Sequence, residues 1–175
     1  RGPALRHMVT SLVKTVTIAA KIGPMKKPQA KLRDIDILSP EEVRQLIDLL
    51  SRRSPTGIRS RALIALLYGS GLRLAEALAL RAKDVDLDAR TVRVHRGKGN
   101  KARTASLSPA SVEVVQRWLD KRSEFGANGR HPIFCTITTG TVGGQETKPC
   151  NGLSQPHVRG MLARLSKKAQ AVGLD

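Results

Sequence analysis

The strongest constraint in this sequence is a pair of helices separated by a glycine break, around Arg61 to Asp86. Gly69-Ser70-Gly71 predicts the end of the first helix, because glycine readily adopts the left-handed conformation that terminates helices. A second helix is expected to start at once, with Arg73 and Glu76 three apart on one face of its first turn. The apolar residues before the break have the spacing of one buried helical face, and they are Ile58, Ala62, Leu63 and Leu66.

The position of Arg73 suits an anionic ligand. An arginine that follows a glycine break lies beside unpaired backbone N–H groups and the positive end of the helix dipole. Its guanidinium is planar, permanently charged and able to hold two oxygen atoms at once. An ordinary helical hairpin with a solvated arginine explains this stretch equally well, so the following segment has to decide between the two interpretations.

The segment after Asp84 predicts a β-hairpin. Residues 91–96 alternate as a strand does, and residues 101–107 supply a second strand. The stretch Gly97-Lys98-Gly99-Asn100 is typical of the turn between two strands, and it places Lys98 at the tip. The predicted fold class is therefore mainly α with a small antiparallel β-sheet, an α+β arrangement.

Three more segments carry helix-start signals. Ser39-Pro40 with Glu42 predicts a capping box, and Ser108-Pro109 and Ser154-Gln155-Pro156 are similar starts. The short segment Pro132 to Cys135 has the composition of a buried strand, and residues 140–144 read as a flexible loop. The second of these helices is expected to bury Val112, Val115 and Leu119, with Val114 and Trp118 beside them. The last is expected to bury Val158, Met161, Leu162, Leu165 and Ala169.

The charge of the chain points to a polyanionic partner. The net charge is +17 over 175 residues, and the calculated pI is about 11.1. A membrane surface is a poor match because no apolar run approaches the roughly 18 residues that span a bilayer, and the basic residues are not confined to one amphipathic helix. Aromatic residues make up only 2% of the chain, so stacking on single-stranded bases is not expected. Double-stranded DNA held by its backbone fits best.

The N-terminal part differs in composition from the rest. Residues 1–33 carry eight Lys or Arg and no acidic residue, with apolar positions that predict an amphipathic helix. A linker containing Lys26, Lys27 and Lys31 follows, and these lysines are placed to contact phosphates. We therefore divide the chain into residues 1–37, a basic helix and linker, and residues 38–175, a separate domain.

Four short motifs in the second domain resemble the catalytic domain of tyrosine site-specific recombinases, the integrase and Xer-type family. They are Gly-Leu-Arg-Leu-Ala-Glu at 71–76, Asp-Val-Asp-Leu at 84–87, Val-Arg-Val at 92–94 and Gly-Lys-Gly-Asn-Lys-Ala-Arg at 97–103. The resemblance covers roughly residues 38–175. It implies that Arg73 grips the scissile phosphate, that Glu76 supports the site and that Lys98 reaches the cleavage point through the minor groove.

The resemblance also implies an activity. Such recombinases break and rejoin double-stranded DNA through a 3′-phosphotyrosyl intermediate, in recombination or integration, as tetramers on DNA and without a metal or nucleotide cofactor. The protein is then expected in the cytoplasm at the nucleoid, with residues 1–37 as the possible end of a DNA-clamping domain. Further DNA contacts are expected from Arg96, Asn100, Lys101, Arg103 and Arg159.

Parts of the family pattern are missing before Asp175. The family continues into a His-x-x-Arg box, a further His or Trp and the nucleophilic tyrosine. His157-Val158-Arg159 has the wrong spacing for that box, and Tyr68, the only tyrosine, lies in an apolar helix where the family has a packing residue. This chain alone is therefore expected to be inactive. A non-catalytic DNA-binding or assembly module and a basic RNA-binding domain stay as alternatives.

The cysteines and histidines give no sign of a metal site. Cys135 and Cys150 flank the predicted hairpin at 136–148, so a disulfide is sterically conceivable, although a cytosolic chain normally keeps such thiols reduced. None of the four histidines lies at metal-ligand spacing from them, so no structural metal is expected.

Overall fold

The structure, a computed structural model, describes residues 38–95, 101–137, 140–142, 145–147 and 149–173. Within these ranges the α-helices are α1 (Pro40–Asp48), α2 (Pro55–Ser70), α3 (Leu74–Ala79), α4 (Pro109–Ser123) and α5 (Gln155–Ala171). The strands are β1 (Val85–Asp86), β2 (Thr91–Val94), β3 (Arg103–Ser106), β4 (Gly140–Val142) and β5 (Gln145–Thr147). The predicted α+β class is confirmed. The predicted N-terminal helix and linker lie outside the described residues.

The start of α1 follows the predicted capping box. The Glu42 N–H donates to Ser39 Oγ at 3.3 Å, and the Ser39 N–H donates to Glu42 Oε2 at 2.7 Å. Ser54 and Ser154 begin α2 and α5 in the same way, each accepting a hydrogen bond from the N–H three residues on. These caps satisfy N–H groups that a helix cannot pair within itself.

The central helix α2 is buried on more than one side. Its four predicted core residues are all buried, which confirms that face. Ile64 and Ala65 on other sides of the helix are buried as well. The helix ends at Gly71, whose φ of +61° is the left-handed conformation and whose N–H donates to the Leu67 carbonyl at 3.1 Å. This turn directs the chain into α3.

The buried face of α4 differs from the predicted one. Val115 and Trp118 are fully buried, but they share the face with Ser111 and Arg122, while Val112 and Leu119 are only partly buried. Two polar contacts explain why α4 is rotated about its axis relative to the predicted orientation. Ser111 Oγ donates to the Ala65 carbonyl at 2.8 Å, and Arg122 Nη2 donates to the carbonyls of the 128–132 loop at 3.0 to 3.3 Å.

The small sheet is a meander in the order β1-β2-β3, with all neighbours antiparallel. Val92 opposes Ala105 and Val94 opposes Arg103, and both valines are buried as the alternation predicts. The turn between β2 and β3 lies outside the described residues.

Two smaller predictions were wrong. Residues 133–135 are buried and Pro132 is partly buried, but the segment is not a strand, because only Pro132 and Cys135 make isolated bridges, to Arg81 and Gly152. Residues 140–142, predicted as part of a flexible loop, form β4, which pairs antiparallel with β5, so the predicted hairpin within 136–148 is confirmed. Cys135 and Cys150 are both buried free thiols.

The last helix, α5, buries the predicted stripe, with Met161 only partly covered. No helix in the described ranges is long and apolar enough to cross a membrane.

The close approach of α2 and α4 predicts that Gly69→Ala destabilises the protein. A Cβ at Gly69 would lie 2.2 Å from Ser111 Oγ and 2.7 Å from Ser108 Oγ, so the helices would have to separate. We expect chemical denaturation to give a free energy of unfolding lower by about 1–3 kcal/mol, although alanine is the better helix former.

Gly160→Ala in α5 is the matched control. The nearest atom to its added Cβ is the end of the flexible Arg164 side chain at 3.5 Å. We expect this change to be neutral or to stabilise by up to about 1 kcal/mol. Equal effects of the two substitutions would contradict the packing explanation.

Candidate active site

Arg73 lies between the glycine turn and α3 and not inside the helix. Its backbone is extended, with φ −69° and ψ 149°, and it is the N-cap residue of α3. The prediction that it belongs to the first helical turn is corrected by one residue, because the chain leaves the left-handed Gly71 in an extended conformation. The Arg73 side chain is 45% exposed, so its guanidinium is open to a ligand at the positive end of the helix.

Glu76 is a buried carboxylate that accepts three hydrogen bonds. Its Oε2 accepts from the Arg73 N–H at 3.0 Å and from Arg103 Nη2 at 2.8 Å, and its Oε1 accepts from Arg73 Nη1 at 3.1 Å. Its side chain is only 5% exposed. Burial by itself raises the pKa of Glu76, but the hydrogen bonds from Arg73 and Arg103 outweigh it and leave the pKa below its ordinary value.

The Glu76 cluster, defined as Arg73, Glu76 and Arg103, joins two parts of the fold. Arg73 is the N-cap of α3 and Glu76 lies in its first turn, whereas Arg103 is the first residue of β3 and contacts Glu76 across 27 positions of sequence. Two guanidinium groups and one carboxylate leave one net positive charge. Both arginine side chains stay more than 40% exposed, so they can still contact an anion.

A second buried carboxylate, Asp84, anchors the other strand of the hairpin. Its Oδ2 accepts from the Arg81 N–H at 2.9 Å, and its Oδ1 is 2.8 Å from His95 Nε2. Burial tends to raise the pKa of Asp84, yet the hydrogen bonds from His95 and from the Arg81 backbone hold it below its ordinary value. His95 follows directly after β2, so Asp84 ties the end of that strand to the 3₁₀ turn at Ala82–Asp84.

Sequence reasoning assigned no role to Asp84 or His95. A signal was present in the repeated spacing of Arg73-x-x-Glu76 and Arg81-x-x-Asp84. In both pairs, the carboxylate three residues after the arginine accepts a hydrogen bond from the backbone N–H of that arginine, as the glutamate of a capping box does.

The cleft between these carboxylates has a volume of about 510 Å³. Glu76 and Asp84 line it together with Arg81, Lys83 and His95. No group of three or more His, Cys, Asp or Glu in the described ranges is arranged to hold a metal ion.

The other predicted site residues are distributed as follows. Lys98, Arg96 and Asn100 at the hairpin tip, and Lys26, Lys27 and Lys31 in the N-terminal part, lie outside the described residues. Lys101 is exposed next to β3. Arg159 lies on α5, where its Nη2 donates to Gln155 at 3.3 Å, and its recorded side-chain contact is within that helix and not with the Glu76 cluster.

The environment of Tyr68 is not that of an activated nucleophile. Its hydroxyl donates to the Leu38 carbonyl at 3.3 Å, and its ring is 43% exposed near the end of α2. A backbone carbonyl cannot act as the base that activates a nucleophile.

Comparison with known proteins gives a consistent result. The model of the phage integrase family matches residues 36–173. The tyrosine recombinase XerC of Vibrio parahaemolyticus is 38% identical over 109 residues, which is 62% of this chain and 33% of that protein. XerC of Actinobacillus pleuropneumoniae is 35% identical over 124 residues, 70% of this chain and 40% of that protein. The chain thus spans between a third and two fifths of the length of these relatives.

Solved structures show the same fold. The XerH site-specific recombinase bound to its difH substrate, in a pre-cleavage complex, matches with a TM-score of 0.59 and 22% identity, over 97% of this chain and 47% of that one. The XerA recombinase matches with a TM-score of 0.56 and 23% identity, over 90% of this chain and 53% of that one.

The buried carboxylate predicts that Glu76→Gln lowers stability. A glutamine has one acceptor oxygen and no charge, so it cannot serve three donors, two of which belong to cations. We expect a free energy of unfolding lower by about 1–3 kcal/mol near neutral pH. Glu113→Gln on the exposed side of α4 is the control and should change it by less than about 0.5 kcal/mol.

The pH dependence of the stability difference between wild type and Glu76→Gln tests the same role of Glu76. Since the folded pKa of Glu76 is below its ordinary value of 4.5, its stabilisation is complete above that pH and is lost as the pH falls through the lowered pKa. The difference between wild type and Glu76→Gln should therefore shrink in acid. A difference that is constant from neutral to acidic pH would contradict the charge-based role of Glu76.

Proposed function

Because the chain belongs to the phage integrase family, we propose that it is the DNA-binding part of a tyrosine-type site-specific recombinase. The observation that carries this proposal is the Glu76 cluster. It holds Arg73 beside the start of α3 with its guanidinium half-exposed, and its one net positive charge matches the single negative charge of a phosphodiester. The relatives named tyrosine recombinase XerC support the same reaction class.

In the proposed reaction Arg73 binds the non-bridging oxygens of the scissile phosphate. Negative charge develops on these oxygens when a tyrosine attacks phosphorus, and a guanidinium can hold two of them at once. Glu76 positions Arg73 through both its backbone N–H and its side chain. Arg103 shares that carboxylate, so we assign it to the phosphate-binding surface as a positioning residue and a DNA contact. Neither a metal ion nor a nucleotide cofactor is part of this proposal.

We assign proton donation to Lys98. An ammonium can give a proton to the departing 5′-oxygen, which is a poor leaving group when unprotonated. The two strands that flank the tip are each anchored by a buried carboxylate, His95 to Asp84 and Arg103 to Glu76. These two contacts, one on each side of residues 96–100, support the assignment of Lys98 to the same site as Arg73. The other proposed backbone contacts come from Lys26, Lys27, Lys31, Arg96, Asn100, Lys101 and Arg159.

The active assembly is proposed to be a tetramer on double-stranded DNA, at the nucleoid in the cytoplasm. Mass photometry of the recombinase on its DNA site would test the assembly, and two or fewer copies per pair of sites would contradict it.

DNA binding by this chain should depend strongly on salt. Each phosphate contact releases counterions, so the slope of log affinity against log salt is about 0.9 per contact. We expect Arg73→Gln to reduce the magnitude of this slope by about 0.9, the value for one phosphate contact. Arg73→Lys is the control that keeps the charge, so it should keep the slope while binding more weakly, because lysine lacks the bidentate geometry. Fluorescence anisotropy over a salt series measures both quantities.

The same titration separates the competing functions. A slope near zero would remove DNA as the partner. Tighter binding to structured RNA than to a DNA duplex of equal length would favour the RNA-binding alternative.

We propose that the 175-residue chain forms no covalent DNA adduct by itself, because its only tyrosine donates to the Leu38 carbonyl and has no activating base in the described contacts. A nicked suicide substrate should trap no protein, and an adduct at Tyr68 would contradict this. A recombinase that contains this chain together with a nucleophilic tyrosine should form the adduct, whereas continued failure to do so would favour the non-catalytic DNA-binding alternative.

Lys98 is then tested in that longer protein. Lys98→Ala should slow cleavage by roughly 10²–10⁴-fold on ordinary DNA. Replacing the bridging 5′-oxygen by sulfur gives a thiolate leaving group, with a pKa near 8.5, that needs no acid. Cleavage by Lys98→Ala should be largely restored on this substrate, while Arg73→Ala should not be. Equal defects on both substrates would assign Lys98 to DNA positioning.

A further inference from the structure

A basic cleft lies between the end of α1, the start of α2 and one face of α5. Its volume is about 400 Å³. Four basic side chains line it, Arg59 from α2 and His157, Arg164 and Lys168 from α5, and none of its lining residues is acidic. Along α2, Arg59 is eleven residues before Ser70, which is about 17 Å at the rise of an α-helix. The cleft is therefore separate from the Glu76 cluster at the other end of that helix.

Arg59 carries an uncompensated buried charge. The residue is only 7% exposed, and within the described residues its one hydrogen bond is from Nη1 to the Cys135 carbonyl at 2.7 Å. Its Nε is buried without a partner, and no carboxylate in the described ranges forms an ion pair with it. A buried guanidinium without a counter-charge is costly, so such groups normally have an anion beside them.

The start of α2 adds a backbone donor to the same cleft. Ser54 caps the helix by accepting from the Gly57 N–H at 3.2 Å, and Pro55 has no N–H. The Ser54 N–H donates to Ser51 Oγ at 3.0 Å and the Ile58 N–H to the Ser54 carbonyl at 2.9 Å, so the Thr56 N–H is the first-turn donor that helix geometry leaves unpaired. Thr56 and Ser60 also line the cleft, although Ser60 Oγ already donates to the Thr56 carbonyl. The positive end of a 16-residue helix thus faces the same space as Arg59.

We propose that this cleft is a second anion site that binds a phosphate-class oxyanion. Arg59 supplies the buried donor, Arg164 a solvent-facing one, and the Thr56 N–H at the start of α2 a backbone donor. Lys168 already donates to the Leu49 carbonyl at the end of α1, so it mainly fixes α5 against α1. The anion would neutralise Arg59 and join α2 to α5.

His157 gives an independent signature of occupancy. Burial lowers its pKa, and the positive charges of Arg59 and Arg164 lower it further. Lys168 is the remaining basic group that lines the cleft. An anion bound among these groups offsets their charge, so the pKa of His157 rises when the site is filled and the anion binds more tightly as His157 becomes protonated.

Two sources can supply this chemistry, a backbone phosphate of DNA and a phosphate-bearing small molecule. The site is defined without reference to strand exchange, so its test does not depend on the proposed recombination activity.

The experiment uses the ¹⁵N-labelled 175-residue chain with sulfate as the probe, because sulfate keeps its charge across the pH range in which histidine titrates. Sodium sulfate is titrated against sodium chloride at constant ionic strength, and the Arg59 Nε–H signal, assigned by its loss in Arg59→Lys, is followed by NMR. We expect a saturable shift of this signal and a higher pKa for the His157 ring.

Two arginine variants give the matched comparison. Arg164→Gln should weaken sulfate binding by roughly ten-fold or more, since a hydrogen bond to a charged group is lost. Arg130→Gln removes the same charge from an exposed loop outside the cleft and should change it less than about two-fold. A non-saturating shift, equal weakening in the two variants, or an unchanged His157 titration would each overturn the proposal.

The source is decided by adding saturating duplex DNA. If sulfate then no longer shifts the Arg59 signal, the occupant is a backbone phosphate. If the sulfate titration is unchanged, the occupant is a phosphate-bearing small molecule.

Discussion

The buried carboxylate of Glu76 is the interaction on which the geometry of the candidate active site depends. A carboxylate with 5% exposure is stable only if its charge is compensated. Here two arginine side chains and a backbone N–H donate hydrogen bonds to it. One arginine is the N-cap of α3 and the other is the first residue of β3, so the ion pairs that neutralise the carboxylate also hold the sheet against the helix. Without that carboxylate, the guanidinium groups of Arg73 and Arg103 would repel each other, and no shared acceptor would hold them in place.

The protein uses the same device twice. Asp84 repeats the arrangement eight residues later, accepting a backbone N–H from the start of its own turn and contacting His95 from the neighbouring strand. The pair of carboxylates therefore fixes both strands that lead to residues 96–100. Binding residues are commonly placed by segments that rigid elements hold on either side.

Helix α2 connects the two basic regions of the described chain. At its C-terminal end Gly69 allows α4 to approach closely, and Gly71 turns the chain toward Arg73. At its N-terminal end it contributes Arg59 and Thr56 to the second cleft. The apolar middle of the helix is covered on several sides, so it acts as a rigid spacer between an end that faces the proposed scissile phosphate and an end that faces the proposed second anion.

Local chemistry in the sequence determined the elements, and only the tertiary structure determined how polar groups pair across them. The capping box at Ser39, the left-handed glycine at 71 and the buried stripes of α2 and α5 were predictable, because each depends on residues within a few positions of one another. The contact of Arg103 with Glu76 joins residues 27 positions apart, and that of His95 with Asp84 depends on strand pairing. The rotation of α4 likewise follows from Ser111 and Arg122, polar residues that periodicity assigns to solvent but that find backbone carbonyls in a neighbouring helix and loop. A periodic pattern in the sequence shows only where apolar side chains recur. It cannot show which buried polar atoms will find partners, and that is a property of the packed molecule.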